Sequence, residues 1–451
     1  MYLFGTTTYY MDTLKKFFLT FIYIIPLFVH GQDSTKTHYT LEECIALALK
    51  NNADAQKSAS STSLAKVDLN QAKARLLPTI DGYLSHGINT GLVTDPITNT
   101  NISQNISSGS QQLSASLTLF NGLNRLRTIR QQAYAYEAYQ NDEQRVKDNL
   151  TMDVILAYLQ VITARDILEQ TKQQRDVTQK QVERLTTLNN DGAADPGEFY
   201  DMQGQYSGDQ LAVLTAANTL KSNIVILTQL LNIPYADELS FEAIDQIPSA
   251  STDMMDSETL YQHAATSLGI LKAAELSKKS AIYGLKATRS LYFPTLSLGA
   301  GLDSRYSNST TGRGTYWDQV QDNLGKGASL TLSIPILGGL QRRMDVARAK
   351  IYLHNAEIDL ENAKNNLQQQ SAQVLFNLQT AKEKYQEQQK QVEAYKESFR
   401  IAEVQFEAGA INSVEYLQQK NKYDQANIGL TVTQYEWQLR QRIANYYNGD
   451  R

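Results

Sequence analysis

The sequence predicts a mainly α-helical fold with a membrane β component: long coiled-coil rods joined to short strands that complete a barrel only when several copies of the chain contribute. Three observations predict it. Apolar residues recur at steps of three and four over two long stretches, the spacing of one helix face. Four shorter stretches alternate apolar and polar residues, the spacing of a strand. The whole plan occurs twice, since Pro78, Gly122 and Gly192 are matched by Pro294, Gly339 and Gly409 at offsets of 216, 217 and 217.

The chain has 451 residues, of which 20% are charged, and a net charge of −5. No basic surface is available to call for nucleic acid. From Met11, MDTLKKFFLTFIYIIPLFVHGQ has the parts of a secretory signal: Lys15 and Lys16, an apolar run from Phe17 to Val29, then Gly31. Residues 1–31 are therefore expected to be removed on export, with Met11 as the alternative start. An N-terminal anchor is the alternative, but the run falls short of the roughly 20 residues a spanning helix needs. The single cysteine, Cys44, excludes an internal disulfide and is expected to pack as a small apolar side chain.

Residues 32–247 and 248–451 are each expected to read helix, β-hairpin, long helix, tip, helix. In the first long helix Leu150, Val154, Ala157, Val161, Ala164 and Leu168 form a seam of period near 3.5. The second carries Leu378, Ala381, Tyr385, Val392, Tyr395, Phe399, Ala402 and Phe406. A run of about 70 residues at 1.5 Å each makes a rod of about 100 Å. The shorter helices, Leu41 to Leu77 with Asp195 to Leu231, and Leu260 to Phe293 with Asn412 to Tyr447, match that length if stacked end to end. Gly192 and Gly409 mark the tips where a column turns back, since glycine supplies the left-handed residue that ends a helix. Pro196 suits the first turn of a returning helix, where its missing N–H costs nothing.

The hairpins are expected at 79–121 and 295–337. Leu113, Ala115, Leu117 and Leu119 alternate with Ser114, Ser116 and Thr118, and Leu330, Leu332, Ile334 and Ile336 with Ser329, Thr331 and Ser333. Their partners are Thr79 to Gly91 and Thr295 to Ser307, joined by polar loops of roughly 20 residues, long enough for outward loops of a membrane barrel. Tyr83, Phe120, Tyr292, Phe293, Tyr316 and Trp317 near the strand ends suit an interfacial girdle. The alternative is two soluble hairpins packed on helices. Four strands cannot close a barrel, and an open edge cannot face lipid with its amides unpaired, so a membrane reading requires sister chains.

The five histidines, His30, His38, His86, His263 and His354, show no metal-ligand spacing. No phosphate-cradling loop and no nucleophile with a recognisable base are found. The chain is therefore not expected to be an enzyme, and no cofactor or metal is expected.

YTLEECIALALKNN, RLLPTIDGYL, LTLFNGLNR, RSLYFPTLSLGAGL, LSIPILGGLQRR and FEAGAINSVEYLQ, in this order and doubled spacing, make the chain resemble the TolC-like outer-membrane efflux proteins (outer membrane factors). The resemblance implies a homotrimer whose strands share one barrel in outer-membrane lipid and whose helices form a coiled-coil barrel, a tunnel in the periplasm. It implies partners too: a periplasmic adaptor (membrane fusion protein) and an inner-membrane transporter, for efflux or type I secretion. The tip, Gly192, Gly409, Ala410 and Ile411, is where such an adaptor would dock. Members often close the tunnel with acidic residues just after the tip glycine, a role that falls on Glu415, with Glu198 as its counterpart. Gln418 and Ile411 stand where a second acid and a base often occur, which puts the charge links of some members in doubt here. Solvated glutamates, and a periplasmic scaffold that does not span lipid, are the competing readings.

Overall fold

A computed structural model describes residues 38–94, 97, 99–103, 105–191, 195–243, 255–309, 314–338 and 340–449. The expected signal at 1–31, the expected boundary at 247/248, and Gly192 and Gly339 lie outside the described residues. In chain order the elements are β1 (His38–Tyr39), α1 (Leu41–Asn51), α2 (Ala53–Ala74), β2 (Thr79–Asn89), β3 (Leu92–Thr94), β4 (Asn101–Ser103) and β5 (Ile106–Phe120). There follow α3 (Asn124–Asn190), α4 (Pro196–Leu231), β6 (Ser240–Phe241), α5 (Ser257–Ser267) and α6 (Gly269–Arg289). The chain continues through a 3₁₀ turn at Ser290–Tyr292 to β7 (Thr295–Ser307), α7 (Tyr316–Asp322), β8 (Gly325–Ser333), α8 (Gln341–Glu407) and α9 (Ser413–Asn448).

The two long helices, α3 and α8, have 67 residues each, about 100 Å at 1.5 Å per residue. α2, α4, α6 and α9 pack on α3, while α6 and α9 also pack on α8. The seam Leu150, Val154, Ala157, Val161, Ala164 and Leu168 is buried throughout. Its first four members meet Leu41, Cys44 and Ala48 of α1, Leu227 and Leu231 of α4, Phe241 and Leu439 in the main core. Each such fully buried aliphatic side chain contributes about 1.5–3 kcal/mol relative to exposure. Cys44 sits in this core, where burial first and the neighbouring Glu43 and Glu42 next push its thiol up to about 12.

The first helical stretch, expected as one helix over 41–77, is two. Asn52 is extended, and its Oδ1 accepts from Asp54 N at 2.9 Å, so it ends α1 and caps α2. The same side chain donates through Nδ2 to Leu230 O at 3.1 Å, and Asn232 Nδ2 donates to Asn51 O at 3.1 Å. Through these bonds α4 abuts the α1–α2 break. The second stretch, expected over 260–293, is likewise divided at the extended Leu268. A short parallel pairing of β1 with β6 was not expected, because two-residue strands carry no readable period.

The four-stranded antiparallel sheet has the order β2-β5-β7-β8, so the two hairpins join through β5 and β7, and β2 and β8 are its outer edges. β5 starts at Ile106, eight residues before the expected Ser114, and the expected open loop after β2 carries the β3–β4 ribbon. β8 runs from Gly325 to Ser333, ending three residues before the expected Ile336 and leaving Ile334, Ile336 and Leu337 outside the ladder. Pro335 has no N–H to donate there. Tyr316 and Trp317 lie on α7, within the second connection, rather than at a strand end.

At the junction of β5 with α3, Gly122 (φ +64°) and Leu123 (φ +67°) are both left-handed, and Leu340 (φ +62°) repeats this before α8. Beyond its dihedral, a Cβ on Gly122 would lie 2.6 Å from Phe293 Cβ and 2.7 Å from Ser290 O, so no larger residue fits.

Candidate functional site

The sheet sorts its residues by cross-strand register. On one face lie the rows Ile80–Ala115–Ala300–Ala328, Gly82–Leu113–Leu302–Lys326 and Leu117–Leu298–Leu330. On the other lie Thr79–Ser116–Gly299–Ser329, Asp81–Ser114–Gly301–Gly327 and Tyr83–Gln112–Asp303–Gly325, with Ser85–Ser110–Arg305 beyond. Thr79 with Ser116 (2.9 Å) and Ser85 with Ser110 (2.8 Å) link hydroxyls on this polar side. Leu84, at 80% exposure, and Ile80, Ile88, Leu330 and Leu332 are bare on the apolar side. An apolar outside and a small, polar inside is the pattern of a barrel wall around water.

At the far end of the rods the second tip is fully described. Gly409 has φ +71°, Gly409 N donates to Phe406 O at 3.1 Å, and Ala410 N donates to Gln405 O at 2.8 Å, closing the last carbonyls of α8. Asn412 Oδ1 accepts from Glu415 N at 2.9 Å and starts α9. In the first hairpin Asp195 Oδ1 accepts from Gly197 N at 2.8 Å, with Pro196 opening α4 as expected for a first-turn proline. Ala410, Glu415 and Gln418 are exposed, and Glu198 is half-buried. Glu198 and Glu415 both stand in the first turn of a returning helix, where the helix dipole favours a carboxylate. Ile411 faces inward instead: it packs, with Phe199 and Phe399, on a small core of Leu185, Met202, Phe406 and Tyr416.

That core ties the two hairpin ends together. Ser413 Oγ donates to Asp201 Oδ2 at 2.9 Å, and Arg184 donates to Glu407 O at 3.1 Å while its guanidinium lies over the Phe406 ring. Burial, and then the Glu403, Asp424 and Glu407 carboxylates, push the Tyr416 phenol well above its usual range.

A charge network that sequence reasoning missed lies further up α9. Lys420 is 1% exposed, with Nζ 2.6 Å from Asp424 Oδ2 and 3.2 Å from Asp209 Oδ2 of α4. Thr178 of α3 donates to Asp209 Oδ2, and Gln205 Nε2 donates to Asp209 Oδ1 at 2.7 Å. Desolvation pushes the Asp424 carboxyl up, opposed by Lys420. Three helices are thus cross-linked, α9 to α4 through the buried ammonium and α4 to α3 through the Asp209 carboxylate. This network lies deeper in the bundle than Gln418 and Ile411 and involves neither of them. The signal was available: Ser413, Tyr416 and Lys420 follow the three-four step of the buried face, and a lysine on that stripe needs a partner.

Comparison with known proteins agrees with this geometry. The family model described as Outer membrane efflux protein matches residues 44–232 and 260–443. Outer membrane protein TolC of Escherichia coli (strain K12) is 26% identical over 353 residues, covering 77% of this chain and 69% of the relative. The Campylobacter jejuni CmeC outer membrane channel superposes with a TM-score of 0.77 at 16% identity, over 91% of this chain and 86% of that one. The Neisseria gonorrhoeae MtrE outer membrane channel, solved in an open state, gives 0.72 at 16% identity over 91% and 88%. With the family model matching well over half of its length, the chain belongs to the outer membrane efflux protein family, has the helical-tunnel and β-barrel fold of those channels, and is a protein of the bacterial outer membrane.

Proposed function

We propose that the chain is the outer-membrane channel-tunnel of a tripartite efflux or type I secretion system, a passive conduit for substrates driven by an inner-membrane transporter through a periplasmic adaptor. Its working form is a homotrimer in which sister sheets share one barrel and the rods continue as a tunnel in the periplasm. One observation carries this reading: a four-stranded sheet with an apolar and a polar face ends at two unpaired edges, β2 and β8. Only further strands can satisfy those edges in lipid. Purified protein in planar bilayers is expected to form discrete ion-conducting pores and to migrate on native gels as a trimer. A non-conducting monomer that fractionates with soluble periplasm would sink the reading.

In this reading the hairpin ends, around Gly192, Gly409 and Ala410, meet the adaptor, and Ile411 supports that surface from within. Glu198 and Glu415, with Gln418 beside the latter, line the aperture, where converging carboxylates attract cations and repel one another. Replacing both glutamates by alanine is expected to raise conductance and lower cation selectivity. Currents unchanged in size and selectivity would remove both from the aperture. A Cβ at Gly409 meets no atom within 4 Å, so the first cost of a replacement such as Gly409→Val is its left-handed backbone. That variant is expected to insert normally but to impair export; normal export would count against docking at this end.

A further inference from the structure

The connection between β7 and β8 contains α7, and the register fixes which side of the sheet it covers. Ser304 Oγ donates to Val320 O at 2.7 Å, and Gln111 Nε2 donates to Tyr316 Oη at 2.6 Å. Ser304 and Gln111 form one cross-strand row with Leu84, and Tyr306, Gly109 and His86 form the next. The Tyr306 ring contacts both Tyr316 (4.8 Å) and His86 (5.9 Å). All of these side chains share the face of Leu113, Leu298 and Leu302. α7 therefore folds outward onto the apolar face, not inward over the polar one.

Its height is fixed as well. Tyr306 lies four residues beyond Leu302 on the strand, about 13 Å at 3.3 Å per residue, and at the end of β7 away from the rods. Gln319 and Val320 turn toward the sheet, while Trp317, 73% exposed, faces away with Asp318, Gln321 and Asp322. At the opposite end of the leucine rows Phe120, Tyr292 and Phe293 are exposed on the rod side. An indole with an apolar body and one N–H donor is best placed where acyl chains give way to headgroups.

We infer that α7 is an interfacial helix, seating the distal rim of the sheet in the lipid headgroup layer with Trp317 against lipid rather than over the pore. The occupant beside Trp317 is lipid headgroup, because α7 lies against the apolar face of an outer-membrane sheet while its own outer face joins one indole to polar side chains. The inference rests on that membrane placement, and the test separates the two.

The chain has two tryptophans, Trp317 and Trp437. Full-length Trp437→Phe protein, reconstituted into phosphatidylcholine vesicles, is expected to lose Trp317 emission when the lipid carries bromine near the carbonyl end of its acyl chains. Bromine near the chain terminus is expected to quench it less. Equal emission in brominated and plain lipid overturns the inference: accompanying quenching by aqueous iodide then places Trp317 in water, and its absence places it against a sister chain. A second variant, Leu84→Trp with Trp317→Phe and Trp437→Phe, reports the apolar band directly. If it is quenched by bromolipid while Trp317 is not, α7 alone is misplaced; if neither is quenched, the membrane placement of the sheet fails.

Discussion

The helices α3 and α8 have the same length, the same left-handed entry after a strand and the same kind of returning partner, yet their surroundings differ. Sixteen residues of α3 are buried against six of α8. α3 packs on α1, α2, α4, α6 and α9, whereas α8 packs on α5, α6 and α9. Along α8, Met344, Ile351 and Ile358 recur at steps of seven and are exposed, as is Phe376. On the opposite flank Leu64 and Val67 of α2 and Leu211 and Leu214 of α4 are exposed in turn. The difference teaches that one long helix is interior to the protomer and the other is a margin, its apolar stripe bare within the chain.

The comparison breaks first if a charge is tolerated in α3. Val154→Asp, with no partner in the main core, is expected to cost about 4–5 kcal/mol or more and to abolish folding, read as lost helical circular dichroism and loss of the assembled band. Next comes the buried lysine. Lys420→Met leaves Asp209 and Asp424 without their cation and is expected to cost about 3–5 kcal/mol, seen as a lower thermal dissociation midpoint. On α8 the outcome should differ in kind. Ile351→Asp combined with Ile358→Asp is expected to leave the isolated chain within about 0.5 kcal/mol per site, as for exposed positions, while eliminating trimers on native gels. Trimers of normal yield would mean that this stripe faces solvent.

The smallest effect sharpens the picture of the Lys420 network. Asp424 titrates above its ordinary value of 3.8 in the folded protein, so its contribution to stability is complete below the unfolded value. The contribution is lost as pH rises through the folded one. Measured against the parent, Asp424→Asn should therefore gain ground as pH rises from below about 4 toward neutrality, whatever its offset at any single pH. A difference that is flat with pH would show that Asp424 is solvated.

The long elements were legible because their signals repeat. Six seam positions in α3 all prove buried, since a period near 3.5 sustained over many turns has one structural solution. Strand alternation likewise revealed which face is apolar. What stayed hidden depended on one residue or on distant partners. The break at Asn52 is made by one side chain that caps α2 and reaches Leu230, 178 positions away. α7 hid in a stretch read as loop, although Thr315 and Asp318 form a capping box there. Lys420 and Asp424 have the spacing of an ordinary i,i+4 pair, and Asp209, which completes the buried network, comes 211 positions before Lys420.

The meeting of α4 with the α1–α2 break gives the protomer two kinds of pillar. α3 and α8 run unbroken, each turn hydrogen-bonded to the next, and resist flexing along their whole length. The pillar made from α2 and α4 is spliced, and at the splice two asparagine side chains replace a continuous backbone ladder. A splice yields before a solid shaft does. Bending of this protomer is therefore expected to concentrate at the Asn52–Leu230 and Asn232–Asn51 contacts rather than along α3 or α8.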